Sequence, residues 1–296
     1  MRYRITHTTE YNYPEMVGLS YNEARLLPRH CTHQRLISAT LKLNPLAADY
    51  RVREDFFGNQ IAYFSIQQAH QKFAVTATSE VELLDKPVLP GFAQALSWET
   101  VGAMLIGQYT PEFLEARQFI LDSPYITATP QLAAYAQPSF LPGRPLIAAV
   151  NDLMQRIHED FTFDPHFTDV ATPLATVLQH KRGVCQDFAH LAIACIRSQG
   201  LAARYISGYI ETLPPPGKVK LVGTDASHAW FAIYLPAYGW IDFDPTNNQL
   251  PGNQHITVAW GRDYGDVTPL KGVVFGGQQH QLKVAVEVEC LENCSH

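Results

Sequence analysis

The spacing of apolar residues changes twice along the chain. Through about residue 85 it runs in twos. The stretches YRITHTTEYNY, ATLKLNP, IAYFSIQ and FAVTATSEVEL alternate or are rich in β-formers, and Asn44-Pro45 and Phe57-Gly58-Asn59 mark turns among them. That pattern predicts a small antiparallel sandwich or barrel. After a proline-marked joint, DKPVLPGF (85–92), the period lengthens to that of helices from Ser97 to about His180. Thr110-Pro111-Glu112 is a helix start, with a candidate cap, proline at the first helical position and an acid in the first turn, and Thr172-Pro173 repeats the signal. Between them PLIAAVNDLMQRIHED (145–160) keeps helical spacing.

The last third mixes both periods. CQDFAHLAIACIRSQG predicts a helix whose apolar stripe holds Phe188, Ala192, Cys195 and Ile196, with Gly200 as its stop. Strand-like runs follow at 203–211, 229–235 and 239–243, and the closing GVVFGG and LKVAVEVE (282–289) alternate once more, as strands that close a sheet would. Read together, the chain is α+β. Residues 1–90 form an N-terminal antiparallel β sandwich-like domain, and residues 91–296 an α+β core with a preceding helical segment and C-terminal strands.

Composition narrows the function classes. Of 296 residues, 46% are hydrophobic and 17% charged, enough for a sizeable core. Twenty-two basic against 28 acidic residues, with no dense Lys/Arg cluster, argue against nucleic-acid or membrane-surface partners. No apolar run approaches the roughly 20 residues of a membrane span, and the opening MRYRITHTTEYNY lacks the apolar segment of a signal peptide. The five cysteines are odd in number and scattered, without a CxxC pair, so no disulfide framework is expected; the tail CLENCSH reads as a loose terminus. The expectation is a cytoplasmic protein.

Chemistry concentrates in RGVCQDFAHL (182–191). At the first turn of a helix, Cys185 would sit among unpaired backbone N–H groups and the positive end of the dipole, a setting that favours thiolate. Gly183 permits a sharp turn and close approach, and the same N–H groups suit an oxyanion; the alternative is a small apolar thiol filling space. Cys195 falls on the apolar stripe and reads as core. His228, in DASHAWFAIYL, stands at the entry of a strand, and GWIDFDPT follows after the turn Pro236-Ala237-Tyr238-Gly239. A hairpin there would bring His228 beside Asp244, with Pro245 ending the strand. Asp242 faces the same way by period two, so spacing leaves both acids open. Gln186 is an oxyanion donor or a helix cap, and Trp230 and Trp240 are cleft-lining or core. His190 is poorly placed on the helix to serve Cys185. Lys181 and Arg182 favour a thiolate or are simply solvated. The proline-rich loop at 213–225 is a lid or a connector. A metal site of Cys185, His190 and His228 matches no zinc spacing, and no calcium loop occurs; no metal or cofactor is expected.

The series GVCQDFAHL, SHAWFAIYL and GWIDFDPT resembles the transglutaminase-like superfamily, in particular its bacterial cysteine-protease branch with an N-terminal β domain. The opening YRITHTTEYNY and the late GRDYGDV resemble the ends of that family, so the likeness spans essentially the whole chain. It implies a papain-like core with a Cys-His-Asp triad of Cys185, His228 and Asp244, favouring Asp244 over Asp242. It also implies amide-bond hydrolysis of a protein or peptide through an acyl-enzyme. Transamidation by the same triad, or a non-catalytic binding scaffold of the same fold, are the alternatives, and Tyr264 and Asp266 in GRDYGDV are expected near the site on resemblance alone.

Overall fold

The computed structural model describes residues 1–86, 91, 96–212, 227–277 and 279–291. Most of the 85–92 joint, the proline-rich loop at 213–225 and Cys294 lie outside them. The first strands are β1 (Arg2–Ala24), β2 (Gln34–Asn44), β3 (Asp49–Glu54), β4 (Gln60–Ile66) and β5 (His70–Leu83). Period-two alternation buries Tyr3, Ile5, His7 and Thr9 on one face of β1 while Arg2 and Arg4 stay in solvent.

A helical layer follows, of α1 (Trp98–Gly107), α2 (Pro111–Arg117), α3 (Pro130–Ala136) and α4 (Leu146–Asp160). Ser97 caps α1 by accepting from Thr100 N, and proline opens α2 and α3 as its fixed φ allows. Next come β6 (Thr162–Phe163), α5 (Leu174–His180), β7 (Arg182–Gly183), α6 (Cys185–Arg197), β8 (Ala203–Ile210), β9 (Ser227–Leu235), β10 (Gly239–Phe243), β11 (His255–Gly261), α7 (Tyr264–Val267), β12 (Leu270–Gly276) and β13 (Gln281–Cys290). Among the described residues no helix is long and apolar enough to cross a membrane.

The core sheet is antiparallel in the order β10-β9-β8-β11, and α6 packs on β9 and β8. The other sides of α6 are covered by α3, α4 and α5, so it is buried all round from Asp187 to Arg197 rather than along one stripe. Its last turn is held by Arg197, whose guanidinium donates to the carbonyls of Phe119, Ala203 and Arg262 at 2.7–3.0 Å. Gly200 takes the positive φ of a helix stop.

The N-terminal sheet is antiparallel, in the order β2-β5-β1-β4-β3, and the chain's last two strands join it. β13 pairs with Tyr3–Asn12 of β1, and β12 pairs with its second half. The two sheets meet at β11, an edge strand. Gln34 bonds both the N–H and the carbonyl of Thr257, and Asn59 does the same for Trp260, at 2.7–2.9 Å. Two side-chain amides therefore satisfy an edge that would otherwise expose backbone polar groups.

Candidate active site

Three local devices present Cys185. A two-residue parallel ladder between β6 and β7 fixes the approach to the helix. Asp187, in the first turn, accepts from Val184 N at 2.8 Å and from Thr168 Oγ1 at 2.7 Å, which caps the helix. Gly183 makes room for that carboxylate: a Cβ there would lie 2.6 Å from Asp187 Oδ2. Burial raises the Asp187 pKa above the usual carboxylate value despite those two bonds. Cys185 itself is half-buried at the first helical position, where backbone N–H groups have no intrahelical acceptor.

The hairpin expected from the sequence forms. β9 and β10 pair with Phe243 opposite Phe231, which brings the start of β9 beside the end of β10. His228 Nε2 lies 2.8 Å from Asp244 Oδ2, both side chains being buried. Burial works against a charged ring, but the bond to Asp244 and the interaction with Cys185 outweigh it and raise the His228 pKa from 6.5 to about 10. Since Nε2 is committed to Asp244, Nδ1 is the ring nitrogen left for the thiol.

Asp244 and Asp242 separate at the strand end. Asp244 has left the β10 ladder for an isolated bridge to Gln249, which turns its carboxylate to His228. Five donors converge on it. Oδ2 accepts from His228, from His255 Nε2 at 3.0 Å and from Asn247 Nδ2 at 2.7 Å, while Oδ1 accepts from the backbone of Thr246 and Asn247. Burial opposes its charge, yet these bonds hold it well below the usual carboxylate range. Asp242 instead reaches Lys86 Nζ at 3.0 Å and lies 3.9 Å from His33.

Two members of this arrangement were not singled out from the sequence: His255 and Asn247. Asn247 follows directly in DPTNN. His255 opens β11 and His228 is the second residue of β9, each a histidine leading an apolar run, and that repeated grammar was the available signal. Burial lowers the His255 pKa against the pull of Asp244, so the neutral ring donates from Nε2. His228, Asp244 and His255 are also the described residues whose ligand atoms converge within 4.8 Å, as a metal would require. Each imidazole, however, spends its Nε2 proton on one carboxylate oxygen, which fits a hydrogen-bonded network better than a metal's ligand set.

The remaining candidates fall as follows. Gln186 is half-buried at the second position of α6. Trp230 is fully buried behind the site, with its ring centroid 6.0 Å from that of His228 and 5.2 Å, edge-on, from that of His255. Trp240 stacks edge-on against Phe119 at 5.0 Å and lines a different cavity, with Arg204 and Asp242. His190 accepts from Tyr264 N at 3.1 Å, burial pushing its pKa down to about 3, so neither the base nor the metal role is open to it. Cys195 is core, its thiol pushed by burial up to about 12. Lys181 and Arg182 are engaged with Asp160 and Asp164. Tyr264 shares an aromatic cluster with Tyr205, and Asp266 binds the Arg262 guanidinium. Burial first, and then the nearby Cys185, raise the Tyr205 phenol well above its usual value.

Comparison with known proteins follows the same two parts of the chain. Residues 3–82 match the bacterial transglutaminase-like N-terminal region, and residues 133–245 match the transglutaminase-like superfamily core. An uncharacterized protein of Mycobacterium tuberculosis is 41% identical over 297 residues, spanning 97% of this chain and 92% of its own length. A protein-glutamine gamma-glutamyltransferase of Pseudomonas aeruginosa is 33% identical over 122 residues, 40% of this chain and 17% of its own length. Among solved structures, a candidate cysteine protease from Cytophaga hutchinsonii superposes with a TM-score of 0.78 at 21% identity, covering 99% of this chain and 91% of the other.

Proposed function

Because the chain belongs to the transglutaminase-like superfamily, we propose that it is a cysteine-dependent amide-bond hydrolase, a protease or peptidase acting through Cys185, His228 and Asp244. The observation that carries this reading is the His228–Asp244 bond at 2.8 Å, on an imidazole that Asp244 first, and Cys185 after it, hold in the charged form against burial. A thiol at a helix start, a histidine and a buried acid that orients it form the arrangement that activates a nucleophile.

In the proposed cycle the Cys185 thiolate attacks the carbonyl of a peptide or glutamine-like amide. The first-turn backbone N–H groups and the Gln186 side chain stabilise the oxyanion. His228, as imidazolium, gives its proton to the departing amine; the C–N bond breaks and a thioester remains. Water then attacks the thioester, His228 takes its proton, and the carboxylic acid leaves as the thiolate is restored. Asp244 keeps the ring in the required tautomer throughout. The substrate is a protein or peptide. The free thiols of Cys31, Cys185 and Cys195 support a reducing, cytoplasmic setting.

The likeness to the Pseudomonas transferase favours a second reading, in which an amine rather than water resolves the thioester. One experiment separates the two. Incubation with benzyloxycarbonyl-Gln-Gly and with casein, with or without hydroxylamine, is expected to release ammonia or new peptide termini without hydroxylamine, and to lose both in Cys185→Ala. Hydroxamate in the presence of hydroxylamine, with neither ammonia nor new peptide termini released in its absence, would establish transfer instead. A Cys185→Ala variant as active as the wild type on either substrate would end the nucleophile assignment.

A further inference from the structure

Away from the triad, a cavity of about 610 Å³ lies where the N-terminal sheet meets the core sheet. A junction between two structural units is a favoured place for small-molecule sites, and this volume falls in their usual range. Its floor is set by strand register. Arg204 on β8, Ala232 on β9 and Asp242 on β10 are direct partners, so their side chains rise from one face. Two strand spacings, about 10 Å, separate the backbones of Arg204 and Asp242, with only the methyl group of Ala232 between them.

Arg204 is 5% exposed, and its guanidinium carbon lies 3.8 Å from the Trp260 ring centroid and 4.3 Å from that of Trp240. Stacked in this way, the group has only its edge of N–H donors to offer. Among the described residues its Nε finds no acceptor. Asp242 does not supply one, since that carboxylate is taken by Lys86 Nζ at 3.0 Å. A buried guanidinium short of acceptors is unusual in a fold, because a donor taken out of water without an acceptor is destabilising.

We infer that this cavity binds an organic monocarboxylate carrying an apolar body, with the carboxylate on the Arg204 edge and the body against the aromatic and aliphatic walls. A carboxylate matches the planar fork of arginine better than any neutral acceptor. Tyr234, Ile241 and Leu250 supply the walls. Glu112 and Glu115, both exposed at the lining, disfavour a second negative group on the ligand's outer end. The cavity is not a second catalytic centre. Its Cys31 thiol lies 3.6 Å from His33, but burial raises the thiol's pKa and pushes that of the imidazole down to about 4, so neither is charged near neutrality.

The test is calorimetric titration of the full chain with two acids, each paired with its own primary amide. 3-Phenylpropionate stands for a free acid, and N-acetyl-glycyl-phenylalanine for a peptide C-terminus. At least one acid is expected to bind ten or more times tighter than its amide. Arg204→Gln should erase that preference, whereas Cys185→Ala should keep it. Which acid binds identifies the source of the carboxylate. Equal binding of acid and amide, or no binding of either acid, overturns the inference, and both results are read on the wild-type protein even if the Arg204 variant does not fold.

Discussion

Asp244 illustrates how a single residue carries the site. Its position sixteen residues after His228 was readable, because one hairpin spans that interval. What spacing left open was the choice between Asp242 and Asp244, two residues apart on one strand. The backbone decides it: Asp242 stays in the ladder and faces Lys86, whereas Asp244 has left the ladder and faces His228. His255 escaped notice because its contact with Asp244 joins residues on different strands, and nothing in local pattern records which strands become neighbours. Its position assigns it a positioning role, donating to the same Asp244 oxygen that His228 binds. His255→Ala is expected to lower kcat/KM by about 10–100-fold, the size typical of groups that orient a catalytic residue. It should also weaken the low-pH alkylation of Cys185, which a purely structural loss would leave in place.

At the scale of elements, the loop-to-helix junction before Cys185 and the β9–β10 hairpin are the two parts that must be rigid. The junction was legible in Gly183 and in the helix period after it, although the reason for the glycine was not. It is the Asp187 carboxylate folded back over the turn. Gly183→Ala should therefore cost on the order of 2 kcal/mol in urea denaturation, whereas Gly107→Ala, with open space around it, should cost nothing measurable. The hairpin carries a pH signature. The folded His228 pKa of about 10 lies above the ordinary 6.5. Its contribution to stability is thus fully present below about pH 6.5 and is lost as pH rises through 10. Asp244 is shifted the other way, so its contribution disappears in acid. The difference in Tm between wild type and His228→Gln is expected to be largest near pH 6 and to narrow steadily from pH 7 to pH 10.

For the whole molecule, alternation announced the N-terminal strands, and the helical middle and the α+β character were equally plain. The partnership of the two chain ends was not. A run such as LKVAVEVE declares a strand but not its neighbour, and β13 lies more than 250 residues from the β1 segment it pairs with. Closing that distance is a matter of tertiary assembly, favoured by the burial of Val286 and Val288 against the core. A consequence follows for any dissection of the protein. A fragment of residues 1–90 would leave β1 without β12 and β13, and would remove the β11 edge that Gln34 and Asn59 satisfy. That fragment is expected to show no cooperative thermal transition, whereas the full chain should show one.

The proposed chemistry requires Cys185 and His228 to act as a pair. It is tested most directly by the pH dependence of iodoacetamide alkylation at Cys185, read by peptide mass spectrometry, in the wild type and in His228→Ala. Wild-type alkylation is expected to continue down to pH 6, and the variant to lose it there on the order of 10²-fold, as an unassisted thiol would. Identical pH profiles in the two proteins would contradict it.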